Sequence, residues 1–93
     1  MKTEEIFTQI KKFMEDNSYF ELDNEYDIGV IGFCTRENGN VGNEKFGEAD
    51  MKEALRIKIE LIKKFGNIIR KIEIDDADEW VYVDIILEIH ETI

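Results

Sequence analysis

Carboxylates are the side chains most able to do chemistry in this 93-residue chain, with 22 Asp and Glu against 12 Lys and Arg, one histidine and one cysteine. They fall in two stretches that contain no basic residue. Glu73, Asp75, Asp76, Asp78, Glu79, Asp84, Glu88 and Glu91 give residues 72–93 a charge of −8, and Glu15, Asp16, Glu21, Asp23, Glu25 and Asp27 give residues 13–35 a charge of −6. Residues 1–12 carry +1 and residues 36–71 carry +3, leaving a net charge of −10.

Catalysis is the weaker use for these acids. Asp84 and Glu88, four residues apart on one strand, stand about 13 Å from each other at ~3.3 Å per residue, beyond the separations at which paired carboxyls cleave glycosides. Asp75-Asp76-Ala77-Asp78-Glu79 offers hard oxygen ligands, but without the alternating order and distant bidentate glutamate of a calcium loop. The single histidine, His90, excludes a two-histidine metal site, and with Cys34 it makes at most half of a zinc shell. No Gly-x-Ser-x-Gly nucleophile turn occurs, and Gly39 to Gly47 lacks the Gly-Lys-Ser/Thr ending of a phosphate loop. No catalytic residue, metal or cofactor is expected.

The charge itself restricts partners. Binding nucleic acid or an anionic membrane requires concentrated Lys and Arg, so neither is expected as a direct partner, and an electrostatic partner should be basic. A lone cysteine makes no disulfide within the chain, which fits a reducing, cytoplasmic setting. The opening MKTEEIFTQIKKFMED is too charged for a signal peptide, and no apolar run reaches the ~18 residues of a membrane span.

The elements that must position these acids are legible from hydrophobic period, and the length is that of one domain, residues 1–93. Ile6, Phe7, Ile10, Phe13 and Met14 make a narrow stripe on a helix over Thr3–Asp16, with Thr3 as N-cap and Glu4 and Glu5 at the positive end of its dipole. Residues 17–25 lose the period and read as an acidic connector. Tyr26–Arg36 reads as a strand, and Asn38-Gly39 as the turn of a hairpin returning through Val41–Phe46. Glu48–Phe65 is a second helix whose apolar arc, including Met51, Ala54, Leu55, Ile57, Ile59, Leu61, Ile62 and Phe65, is wide enough to suggest deep packing on a sheet, with Gly66-Asn67 as its stop. Asn67–Ile74 and Glu79–Ile89 read as a closing antiparallel hairpin around Asp75–Asp78. The order α-β-β-α-β-β implies an α+β two-layer sandwich with two helices and an antiparallel four-stranded sheet.

Alternation along the last strand places Val81, Val83, Ile85, Leu87 and Ile89 on a core face, and Trp80, Tyr82, Asp84, Ile86 and Glu88 on the other. The second face admits two readings. Its acids keep a small protein soluble while Trp80 and Tyr82 lie beneath the first helix, or acids and aromatics together form a docking surface for a basic, partly apolar partner. Lys58 sits inside the apolar arc of the second helix and should snorkel to water or pair with a strand carboxylate such as Asp84. Cys34, with no basic cluster beside it in sequence, reads as a packing residue rather than a nucleophile.

The expected site is therefore Asp75, Asp76, Asp78, Glu79, Trp80, Tyr82, Asp84 and Glu88, on a non-catalytic binding protein that docks on a basic, nucleic-acid-binding protein. Anti-restriction, anti-CRISPR and nuclease-immunity proteins share this size and charge, though no motif here links the chain to them. The alternative is a self-associating assembly subunit, for example a homodimer, with incidental acidity.

Overall fold

A computed structural model describes residues 3–26, 29–36, 48–77 and 80–88. Helix α1 (Thr3–Asn17) is followed by strands β1 (Glu21–Tyr26) and β2 (Val30–Arg36), helix α2 (Glu48–Phe65), and strands β3 (Ile69–Ala77) and β4 (Trp80–Leu87). The four strands form one antiparallel sheet in the order β1-β2-β4-β3. The order α-β-β-α-β-β and the α+β class are as the hydrophobic periods imply.

Both helices lie on one face of this sheet. Ile6, Phe7, Ile10 and Met14 of α1 and Ala54, Ile57, Leu61 and Phe65 of α2 join Ile31, Phe33, Ile72, Val81, Val83, Ile85 and Leu87 in a single buried cluster. The helices meet across Phe13 and Phe65, whose rings stand edge to face with centroids 5.6 Å apart, a favoured geometry for aromatic quadrupoles. Lys64 extends over the Phe13 ring with its Nζ 5.9 Å from the centroid. The exit from α1 is closed by Ser18: its backbone N–H and its hydroxyl both donate to the Met14 carbonyl, each at 2.9 Å, and its Oγ accepts the Phe20 N–H.

Several boundaries differ from the sequence expectation. The supposed connector contains β1, because an exposed edge strand is held by its backbone ladder and can carry a polar sequence, here Glu-Leu-Asp-Asn-Glu-Tyr. The expected long strand over Tyr26–Arg36 is broken at Gly29, whose φ of 80° is open to glycine and costly for other residues. Gly29 is also tied into the sheet, since its carbonyl accepts the Leu87 N–H at 2.9 Å. The expected hairpin at Asn38-Gly39 and its returning strand Val41–Phe46 lie outside the described residues. Strand β2 already has β1 on one side and β4 on the other, so it has no edge left for a third partner. Asp75 and Asp76 are not turn residues: β3 runs on through Ala77, which stands opposite Trp80.

Helix α2 has the bounds expected, but its wide arc divides. Ala54, Ile57, Leu61 and Phe65 are buried, whereas Leu55, Ile59 and Ile62 are 52%, 56% and 49% exposed. Lys58 is half-buried on the flank of the core stripe. It cannot pair with Asp84, whose side chain is on the opposite face of the sheet.

Leu61 and Ile85 are fully enclosed in the common core. Leu61→Ala or Ile85→Ala should lower the unfolding free energy by about 2–5 kcal/mol, while Ile59→Ala should change it by less than about 0.5 kcal/mol. Urea unfolding followed by circular dichroism checks both.

Candidate functional site: the outer sheet face

Alternation along β4 is what separates core from candidate site. Val81, Val83, Ile85 and Leu87 are buried, whereas Trp80 is 37% exposed and Tyr82, Asp84 and Ile86 are half-buried on the opposite side. Trp80 and Tyr82 are therefore not beneath α1, which packs on the core side. Register extends the outer face across the sheet. Cys34, Gly32 and Val30 of β2 stand opposite Tyr82, Asp84 and Ile86, and Asp75, Glu73 and Lys71 of β3 flank the same three residues from the other side. From β1, Glu21 is opposite Cys34 and Asn24 opposite Gly32, with a register shift at Asp23 between them.

Asp84 lies at the centre, and the space it occupies exists because residue 32 is glycine. A Cβ built at Gly32 would stand 2.6 Å from Asp84 Oδ1, closer than nonbonded carbon and oxygen tolerate. Burial, first, and then the charges of Glu73, Asp23 and Asp75 raise the Asp84 pKa above the usual aspartate value. Asp23 also reaches Cys34, a buried thiol whose pKa is raised by burial, then by Asp23 and Glu21. That thiol is held protonated, in keeping with a packing role. The two acidic stretches of the sequence, 50 residues apart, thus converge on one surface.

Of the eight expected site residues, the structure brings Asp75, Trp80, Tyr82 and Asp84 onto this face, with the exposed Glu88 just beyond the end of β4. Asp76 does not belong with them. It stands opposite the core residue Val81 and so points to the helix side, at the end of the hairpin where β3 leads into β4. Asp78 and Glu79 lie outside the described residues. The face also includes Glu21, Asp23, Glu73 and Gly32, which sequence reasoning left out of the site. Glu73 shares strand parity with Asp75 and was within reach of the alternation argument. Glu21 and Asp23 were hidden by the unrecognised strand, and nothing in one sequence pairs Gly32 with Asp84. The cation placed on this face by the described side chains is Lys71, 2.8 Å from Glu73. Glu25 turns the other way, to Lys11 of α1 at 2.8 Å.

A second polar feature was not anticipated. Asp50, in the first turn of α2, is fully buried, and its Oδ1 accepts a hydrogen bond from the Tyr19 hydroxyl. Burial and this carboxylate push the Tyr19 pKa up, because the phenol serves as the donor. The pair ties the chain after α1 to the start of α2. Two grooves lined by described residues, one beside Phe13 and Lys64 and one beside Tyr19 and Phe20, are open, and Asp84 lines neither. Among the described residues no three His, Cys, Asp or Glu side chains are arranged to hold a metal ion, and no helix is long and apolar enough to cross a membrane. No protein family, curated protein or solved structure matches the chain.

Two measurements probe the centre of the face. Gly32→Ala should cost more stability in the native background than in Asp84→Ala, where the carboxylate it strikes is gone, with a coupling energy of about 0.5–3 kcal/mol in a double-mutant cycle. Asp84 binds its proton more readily folded than unfolded, so its ionisation opposes folding above its folded pKa, and that opposition is relieved as pH falls toward the unfolded value. Asp84→Asn should therefore raise Tm at pH 7, and the gain should shrink as pH is lowered toward about 4.

Proposed function

We propose that this chain is a small, non-catalytic, cytoplasmic binding protein. The outer face of its sheet docks on a basic surface of a nucleic-acid-binding protein, where its carboxylates take the place of backbone phosphates. The observation that carries this reading is the convergence of Glu21, Asp23, Glu73, Asp75 and Asp84 on one sheet face among aromatic side chains. Carboxylates two residues apart along a strand recur at about 6.7 Å, and neighbouring strands at about 4.8 Å, which makes a dense anionic lattice on a stiff support. Trp80 and Tyr82 supply flat apolar area of the kind that anchors interfaces.

Electrostatics favour binding over mere solubility. Acids placed to solubilise a protein would lie apart, where their repulsion is least; here they crowd a half-buried Asp84, whose pKa is raised by burial first and then by these neighbours. An incoming Lys or Arg relieves that repulsion, so the energy stored on the free face is returned on binding. Such association should be steered at long range and weaken as salt rises. No metal or cofactor enters this reading.

The test is capture of proteins from a native lysate at low and at high salt, with a Glu73→Lys/Asp75→Lys double variant beside the wild type. Both positions are exposed on β3, so the variant should keep its fold by circular dichroism. The wild type should retain a nucleic-acid-binding protein that added duplex DNA or RNA displaces, and the variant should lose it. Equal retention by the folded variant overturns the reading.

A further inference from the structure

The exposed part of the α2 arc is a second surface, with the opposite electrostatic character. At 100° per residue, Leu55, Ile59 and Ile62 form a stripe on the side of α2 turned away from α1, since α1 is met by Phe65 against Phe13, by Arg56, which donates to the Asn17 carbonyl at 2.5 Å, and by Lys64 over Phe13. Among the described side chains, the charges bordering the stripe are positive: Lys58 on one flank, Lys52 and Lys63 on the other, and Arg56 next to them, with Lys63 also 3.8 Å from Glu60. The acids Glu53 and Glu60 lie on the flank nearer α1, where Glu53 accepts from Arg56 Nε at 2.5 Å. An apolar stripe about half exposed along two turns is an unusual surface to leave in water.

We propose that the occupant of this stripe is a second copy of the chain, whose outer sheet face receives the basic side of α2. Charge complementarity selects that arrangement over the symmetric ones. Pairing α2 with α2 sets Lys52, Lys58 and Lys63 against their own kind, and pairing two outer faces sets Asp84, Asp75 and Glu73 against theirs. Helix on sheet brings the cations to the carboxylates and lays Leu55, Ile59 and Ile62 against Tyr82, Trp80 and Ile86. The contact is head to tail, so an open assembly keeps one unused helix face at one end and one unused sheet face at the other, and growth proceeds to a ring or an open chain. Because each copy carries −10 overall, distant repulsion opposes approach at low salt. Association should be strongest where screening has shortened the Debye length to about 8 Å, and weaker at lower and higher ionic strength.

This rests on the outer face being a docking surface, as in the function proposed above, but not on the identity of its partner. The test is sedimentation of the purified chain from micromolar to millimolar concentration, with two variants that each remove one surface: Ile59→Lys, or Leu55→Lys should the first not fold, and Glu73→Lys/Asp75→Lys. The wild-type mass should rise with concentration past that of a dimer, and each variant should self-associate at least about tenfold more weakly, a difference of ~1.4 kcal/mol. An equimolar mixture of the two should form a heterodimer and stop there, because it contains one intact helix face and one intact sheet face. The proposal is overturned if the wild type stays monomeric to millimolar concentration, if either variant associates as the wild type does, or if the mixture stays monomeric. A folded Ile59→Lys variant that no longer self-associates yet still captures a nucleic-acid-binding protein separates the two readings, since its acidic face is intact.

Discussion

Strand β4 lies between β2 and β3, and its strict alternation is the constraint on which the rest depends. Val81, Val83, Ile85 and Leu87 point to the two helices and are almost wholly removed from water; the residues between them point the other way and cannot do otherwise without emptying the core. A slip of one residue would bury Asp84 among leucines and isoleucines and expose the core row. Hydrophobic burial on one face thus fixes where the carboxylates of the other must stand, and the precision of the anionic surface follows from packing it does not touch.

What the sequence makes legible follows the same division. Elements with a buried stripe announce themselves: α2 has the expected bounds of Glu48–Phe65, and β4 the expected faces. Elements held by backbone pairing do not. Strand β1 has one apolar residue before its closing tyrosine, Leu22, and even that is 47% exposed, so no period marks it. Gly29 was lost inside an apolar run whose end at Asn38-Gly39 carries the stronger local turn signal. The site was half legible for the same reason. Asp75, Trp80, Tyr82 and Asp84 follow from strand parity, whereas Glu21 and Asp23 reach the face through a non-local pairing and Gly32 matters only because of the residue opposite it. Periodicity also overstated the burial of α2, since it reports which residues are apolar and not how far a four-stranded sheet extends beneath them.

Charge segregation in the sequence becomes polarity in space. Glu21 and Asp23 of β1, Glu73 and Asp75 of β3 and Asp84 of β4 collect on one side of the sheet, while the outer stripe of α2, on the other layer, is bordered by lysines. The molecule is strongly anionic in sum and yet two-signed locally. Its behaviour at a distance and at contact should therefore differ, the former set by net repulsion and the latter by which surface is presented.

The edges of the sheet add a consequence of their own. Among the described residues β1 and β3 are the outer strands, and each has a register shift, between Leu22 and Asn24 in one and between Ile69 and Lys71 in the other. An interrupted ladder is a poor template for another chain to extend by main-chain hydrogen bonds, and these edges also carry Glu, Asp, Arg and Lys, which resist cross-β stacking. Recognition by strand addition is thereby discouraged at both margins. A partner of a protein that shows so much sheet would have to meet it broadside, through side chains that substitution can retune one at a time without disturbing the backbone beneath.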